Sequence, residues 1–269
     1  MKTYHFLSGF PRSGGTLLAA LLNQNPEIYA SPLSPIVSML WDYNKTIKEE
    51  ESVKRLENKE PITNVGKGII VNYYQNINKP IIFDREKAWA TTGNLEMIKK
   101  YITPTPKIIV TVRPVLEILS SWISLLTETS FIDIEMKESG WWYKDYLTKN
   151  DNRCDYIMRP SGQMDRMLFS INEIIKPENK NAICLIKYDD LINMPQETMD
   201  KIYNFLELPT HKHNFNKIKK LEKDNDEVLG HPTNIHEVRP QLKKISKDPK
   251  EVLSEYVINK YSNIGWEAK

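Results

Sequence analysis

The sequence predicts an α/β domain in three layers, with a mainly parallel central sheet and helices on both faces. Three observations lead there. Short apolar runs bounded by charged or turn residues recur at 4–8, 81–83, 107–112 and 182–186, and such runs read as buried strands. Segments with apolar residues at helical spacing lie between them. The most informative polar residues directly follow the strands, where ligands bind in parallel sheets.

Taken in order, the 4–8 run leads straight into a glycine turn. The helix behind it, 16–23, places Leu17, Leu18, Leu21 and Leu22 on one face and stops at Asn25-Pro26. Residues 42–60 are charge-rich and read as a solvated helix. Val65, Ile69, Ile70, Tyr73 and Ile77 recur at helical spacing. The 81–83 strand is bounded by Pro80 and Asp84, and a helix over 95–101 is broken by Thr-Pro-Thr-Pro. The 107–112 run, Lys-Ile-Ile-Val-Thr-Val, is the clearest buried strand. Pro114 suits a first helical turn, and Leu116, Leu119, Trp122, Ile123 and Leu126 continue that helix. Residues 129–158 read as irregular and aromatic. A helix over 164–175, the 182–186 strand, a helix over 197–206 and a last helix near 252–261 complete the chain.

With 269 residues, neither an internal repeat nor a low-complexity linker is apparent, and one domain over 1–269 is expected. Lys plus Arg total 37 and Asp plus Glu 35, for a net charge of +2. That balance lacks the basic face that duplex nucleic acid requires, so no nucleic-acid partner is expected, and a bound anion would be held by a few placed groups. Cys154 and Cys184 have neither metal nor redox spacing. The N-terminal apolar run is too short for a signal peptide, and no stretch approaches the ~20 apolar residues of a membrane span. A cytoplasmic protein is expected.

Behind the first strand stands Gly9-Phe-Pro-Arg-Ser-Gly-Gly-Thr16, close to the nucleotide loop G-x-x-x-x-G-K-[ST]. Successive backbone N–H groups and the following helix N-terminus would cradle an anion. Gly15 occupies the lysine position, and the nearest cation is Arg12. Such a loop suits ATP-Mg²⁺ poorly and still suits a phosphate joined to a small charged group. Arg113 ends the central strand, where its fork can grip a phosphate. Ser121 follows eight residues on, ~2.2 helical turns, and could donate to the same anion. The strand at 182–186 ends in Lys187-Tyr188-Asp189-Asp190-Leu191, followed by Pro195. There a tyrosine could flank a base and the acidic pair could cap a turn. Each element also has a purely structural reading.

Jointly the three resemble the sulfotransferases that use 3′-phosphoadenosine 5′-phosphosulfate (PAPS), which have a P-loop NTPase-like fold. Pro11-Arg12-Ser13-Gly14-Gly15-Thr16-Leu17-Leu18 is similar to that family's 5′-phosphosulfate loop, in a form nearer its bacterial, carbohydrate and tyrosylprotein branches than its small-molecule branch. Arg113 and Ser121 stand at its 3′-phosphate spacing. Tyr188-Asp189-Asp190-Leu191 resembles its Tyr-Glu-Asp-Leu element, whose tyrosine lies near adenine. Val238-Arg239-Pro240 resembles a cofactor-covering segment. The resemblance implies Pro11 to Leu17, Arg113, Ser121, Tyr188 and Arg239 as nucleotide contacts, with residues 207–269 covering the cofactor and 129–158 an acceptor-side insertion. It implies transfer of a sulfuryl group from PAPS to a hydroxyl or amine of a small molecule, carbohydrate or peptide, with release of 3′,5′-ADP.

The base is the departure. No acid stands in Ala30-Ser31-Pro32-Leu33-Ser34, and no histidine in 83–89, where branches of the family carry theirs. Arg85 and Lys87 align with two cations of bacterial relatives. Arg12 would neutralise charge on the leaving phosphate, and Ser13 and Thr16 would add hydroxyl donors. Asp84 is the first candidate base, Glu86 the second and His236 the third. No metal is expected. Two other readings stand beside this one: a P-loop kinase using ATP-Mg²⁺, with Asp84 as the magnesium ligand, and a non-catalytic module binding anionic glycans.

Overall fold

The computed structural model describes residues 2–126, 130–221, 237–244 and 247–266. Five strands, β1 (Thr3–Gly9), β2 (Ile28–Leu33), β3 (Ile81–Arg85), β4 (Ile108–Val112) and β5 (Ile183–Lys187), form one parallel sheet in the order β2-β3-β1-β4-β5. Side chains alternate across a strand, and here both sets are buried. Phe6, Ile82, Ile108 and Val110 pack with Trp89, Ile98, Ile118 and Ile171 on one face. Leu7, Phe83, Ile109 and Ile186 pack with Leu18, Leu21, Ile202 and Tyr203 on the other. Burial on both faces is why these strands read as continuous apolar runs, and it makes the three layers the sequence predicts.

The helices are α1 (Gly15–Leu22), α2 (Ile36–Glu49), α3 (Glu51–Lys54), α4 (Glu60–Tyr73), α5 (Thr92–Tyr101), α6 (Val115–Ile123), α7 (Phe131–Glu138), α8 (Lys149–Ile157), α9 (Gln163–Ile174), α10 (Tyr188–Asn193), α11 (Pro195–Leu206), α12 (Pro249–Val252) and α13 (Glu255–Tyr261). Four differences from the sequence reading have physical reasons. Strand β2, Ile-Tyr-Ala-Ser-Pro-Leu, is unpredicted because it is short and contains Pro32; an edge position tolerates the missing donor. The charge-rich 42–60 stretch is not one helix. Helix α2 begins earlier, burying Ile36, Val37 and Leu40, and ends at Glu49. The last helix is split, with Ser254 capping α13.

The fourth difference bears on the site. Residues 130–157 are largely helical, not irregular. Each helix there opens with a capping box: Ser130 with Asp133 for α7, and Thr148 with Asp151 for α8. The aromatic residues around them hide that signal. Arg153 then donates to Asp133 at 2.8 and 2.6 Å, tying α8 to α7. Asp155 accepts from Lys144, Tyr256, Lys260 and Tyr261 within 2.9 Å, which docks α13 on α8. No helix among the described residues is long and apolar enough to cross a membrane.

Candidate active site

Strand β1 lies between β3 and β4, so the sheet's order reverses there and a crevice opens at its carboxyl end. The 9–14 loop fills that position, and β4 holds its shape. Gly9 has φ +141°, and a Cβ there would lie 2.3 Å from the Thr111 carbonyl oxygen. Arg12 sits at φ 61°, a left-handed conformation that costs about 1 kcal/mol or more outside glycine. Arg113 Nη1 donates to its carbonyl at 2.9 Å. The buried Ser13 hydroxyl donates to the Phe10 carbonyl at 2.6 Å and lies 2.7 Å from Thr111 Oγ1. Gly14, at φ +92°, admits the Tyr188 ring: a Cβ would lie 2.9 Å from Tyr188 Cδ2.

Four cations come from three strand ends and the loops behind them: Arg12 after β1, Arg85 and Lys87 at the end of β3, and Arg113 after β4. Arg12 Nε donates to Ser121 Oγ at 3.2 Å, and its guanidinium lies 5.9 Å from the Trp122 ring centroid. Arg85 Nη1 donates to Thr16 Oγ1 at 2.7 Å. Arg113 Nε donates to Glu117 at 3.0 Å, and its guanidinium stacks 4.2 Å from the Tyr188 centroid. Its Nη2 is buried without a hydrogen-bond partner among the described residues. Lys87 follows β3. Burial first holds the Lys87 ammonium below its usual range, with repulsion from Arg85 and Arg12 adding to this and Glu86 opposing it. Burial likewise lowers Arg12, with repulsion from Arg113 next. Buried positive charge facing like charge is what an anion would relieve.

These groups line one wall of a cleft of about 630 Å³. Pro11, Arg12, Gly14, Gly15, Thr16, Leu17, Arg113, Ser121, Tyr188 and Arg239 all border it, so the fold brings to one cleft all but Ser13 of the residues expected from the sequence to contact a nucleotide. Arg239 arrives through backbone bonds from Ile218 N–H to the Pro240 carbonyl (2.8 Å) and Leu242 N–H to the Phe215 carbonyl (2.9 Å). The opposite wall comes from α6 to α9: Trp122, Leu125, Phe131, Ile132, Tyr156 and Met164, with Glu135 and Arg159. Glu135 and Arg159 are absent from the sequence reading. The spacing Phe131, Ile132, Glu135 marks one helix face, a signal available only once α7 is recognised.

Three candidates need correction. Ser13 is fully buried and its hydroxyl is committed to Phe10 and Thr111, so only its backbone N–H remains to serve an anion. Asp84 does not face the cleft. Strand alternation turns it to the α4 face, where it is fully buried and accepts from Tyr74 (2.6 Å), Ser34 (2.8 Å) and Trp89 (2.6 Å). Burial raises its carboxyl above the usual range against those three bonds. Arg85, next along, points to α1 instead. Glu86 accepts from the Ala88 N–H at 3.4 Å, capping the 3-10 turn Lys87–Trp89, and is not among the cleft's lining residues. Neither acid is placed to take a proton from an acceptor, and Asp84 is not placed to hold magnesium. His236 lies outside the described residues.

A model of the sulfotransferase family matches residues 6–212. The chain belongs to that family. Its match begins within β1 and spans the loop, the other four strands and the 188–195 element. Two solved sulfotransferase domains share the fold. One comes from the curacin biosynthetic pathway, with 16% identity, a TM-score of 0.52, and coverage of 100% of this chain and 93% of that one. The other comes from the Synechococcus PCC 7002 olefin synthase, with 16% identity, a TM-score of 0.50, and coverage of 100% and 90%. Curated proteins give no match to this sequence.

Proposed function

We propose that this sulfotransferase moves a sulfuryl group from PAPS to an acceptor hydroxyl or amine and releases 3′,5′-ADP. The observation that carries the reading is the buried Arg113 Nη2, without a hydrogen-bond partner among the described residues, beside a Gly14 notch that the Tyr188 ring fills. A buried guanidinium donor left unpaired costs free energy, and a second phosphate on the nucleotide would satisfy it. The loop N–H groups, Arg12 and Thr16 suit the 5′-phosphosulfate. Arg113 and Ser121 suit the 3′-phosphate. Ser121 accepts from Arg12, which leaves its own hydrogen to donate. Tyr188, stacked on Arg113, suits the adenine side, and Arg239 covers it.

When bound, PAPS supplies a sulfuryl group on a phosphate leaving group. The chain's own work is electrostatic and positional. Arg12, held at a left-handed turn by Arg113, is fixed where negative charge grows on the leaving phosphate. Lys87 and Arg85 flank it. Charge already crowded together before reaction is relieved most when the anion carries most charge. That makes stabilisation larger in the transition state than in the ground state. The kinase reading finds no support at Gly15 or Asp84, and a passive glycan-binding module needs neither the loop nor its buried cations.

Equilibrium titration tests this. The protein should bind 3′,5′-ADP at least tenfold more tightly than ATP-Mg²⁺, the margin that ~1.4 kcal/mol of added phosphate contact supplies. It should also transfer ³⁵S from labelled PAPS to members of an acceptor panel. Preference for ATP-Mg²⁺ would overturn the assignment.

A further inference from the structure

We infer that the α6–α9 wall binds a small, largely apolar alcohol or phenol, and that Glu135 takes its hydroxyl proton. This rests on the sulfuryl-transfer reading above. Two observations carry it. The wall is built from Leu125, Phe131, Ile132, Ile157 and Met164, with Trp122 at its junction with the loop. Aliphatic side chains reward apolar contact, and the few polar groups beside them, Ser124, Glu135, Arg159 and Gln163, leave most hydroxyls of a sugar facing apolar surface, where each loses water without gaining a partner. Trp122 also carries Arg12 at 5.9 Å and neighbours Ser121. An acceptor lying on this wall therefore meets the cation of the phosphate loop.

The second observation is the acid. Among the described residues lining the cleft, the carboxylates are Glu135 and Glu237. Glu237 belongs to the segment that carries Arg239. Glu135 is on α7, three and four residues after Ile132 and Phe131, so it shares their face. Its carboxylate has neither a hydrogen bond nor an ion pair among the described residues, while Asp133, two residues earlier, is gripped by Arg153. Helix α7 is therefore held from behind, and Glu135 is left uncommitted towards the cleft. Asp84, Glu86 and Glu117 are each engaged elsewhere.

The step balances. The acceptor's O–H proton passes to the Glu135 carboxylate. The freed oxygen pair forms the new bond to sulfur. The bond from sulfur to the bridging phosphate oxygen breaks, and its electron pair stays on the phosphate of 3′,5′-ADP beside Arg12. No oxidant, reductant or further reactant is needed.

Calorimetric titration with 2-naphthol, in the presence of saturating 3′,5′-ADP, reads the acceptor wall without turnover. The wild type should bind 2-naphthol more tightly than N-acetylglucosamine or a tyrosine peptide. Leu125→Asp, at a half-buried position, should weaken 2-naphthol at least tenfold while 3′,5′-ADP binding stays unchanged, which also reports that the variant folds. Glu135→Gln should keep both binding events, lose ~10²–10⁴ in naphthol sulfation, and lose the acid limb of the kcat/KM pH profile. Glu237→Gln should keep rate and limb. A protein that binds 3′,5′-ADP but prefers the sugar or peptide overturns the acceptor class, and a Glu135→Gln variant with intact rate and pH limb overturns the base. Failure to bind 3′,5′-ADP at all overturns the donor reading instead.

Discussion

Along the strand ends, side chains far apart in sequence lock one another in place. Ser13 meets Thr111 across 98 residues, Arg113 meets Arg12 across 101, and Arg12 meets Ser121 across 109. The facing wall is different. Helices α7 and α8 are stapled from behind through Asp133, Arg153 and Asp155, while the surface they turn to the cleft is largely apolar and Glu135 there has no hydrogen-bond partner among the described residues. One side is a rigid, charged receptor whose parts hold each other. The other is a scaffolded apolar surface that a few substitutions could reshape without disturbing the first.

The largest expected effect comes from removing the cation that joins the two sides. Arg12→Ala should lower turnover ~10²–10³-fold, the usual cost of deleting one charge-stabilising donor, with a smaller loss of donor affinity because the charge it meets grows in the transition state. Steady-state kinetics beside a binding titration separates the two. A collapse of affinity with turnover intact would make Arg12 a simple anchor and weaken the contrast between the walls.

Asp84 comes next, and its effect should fall on stability. Asp84→Ala leaves the Tyr74, Ser34 and Trp89 donors unsatisfied and should cost about 3 kcal/mol in denaturant unfolding. Asp84→Asn keeps an oxygen for Ser34 and Trp89 and turns an amide to Tyr74, so it should cost less. Its pH–rate profile should keep the wild-type acid limb. A lost limb with stability intact would return Asp84 to the role of base.

A smaller effect concerns the strand that carries the loop. His5 is buried in β1 with neither ring nitrogen hydrogen-bonded among the described residues, and burial first, then Lys107, pushes it down to about 4. Unfolded, it titrates near 6.5. Between these values the unfolded state binds more protons, so stability falls as pH drops from about 6.5 towards 4. His213 shifts the same way, also to about 4. His5→Phe should leave stability at pH 7 nearly unchanged and reduce the loss seen in melts at pH 5. An unchanged pH slope would show that His5 is not one of the titrating groups.

That the strand-end cations and the glycine loop gather at one crevice was legible in the sequence because the signals are local. A glycine-rich turn follows β1, Arg113 follows β4 and Tyr188 follows β5; each position fixes where the side chain goes. The base was misread for an equally local reason. Asp84 ends a strand, but strand alternation decides which face a side chain takes, and Tyr74 and Trp89 that receive it come from helical segments on either side in sequence. Ser13 was misread likewise, since Thr111, its partner, is 98 residues away. Strand β2 and the start of α2 escaped because burial against the sheet, not propensity, makes them. The 130–157 helices escaped because their capping boxes use Asp rather than Glu and lie among aromatic residues.

Under the proposed function, the strand-end cations read two separate phosphates. The direct measurement is the ratio of 3′,5′-ADP to 5′-AMP affinity, in the wild type and in Arg113→Ala. Because Arg113 also supports the Arg12 carbonyl, either affinity alone would mix loop damage with lost contact, and the ratio removes what the two nucleotides share. The wild type should favour 3′,5′-ADP at least tenfold, from ~1.5–3 kcal/mol of charged hydrogen bonding, and Arg113→Ala should bring the two affinities close together. Equal affinities in the wild type, or a preference that survives in Arg113→Ala, would contradict the account.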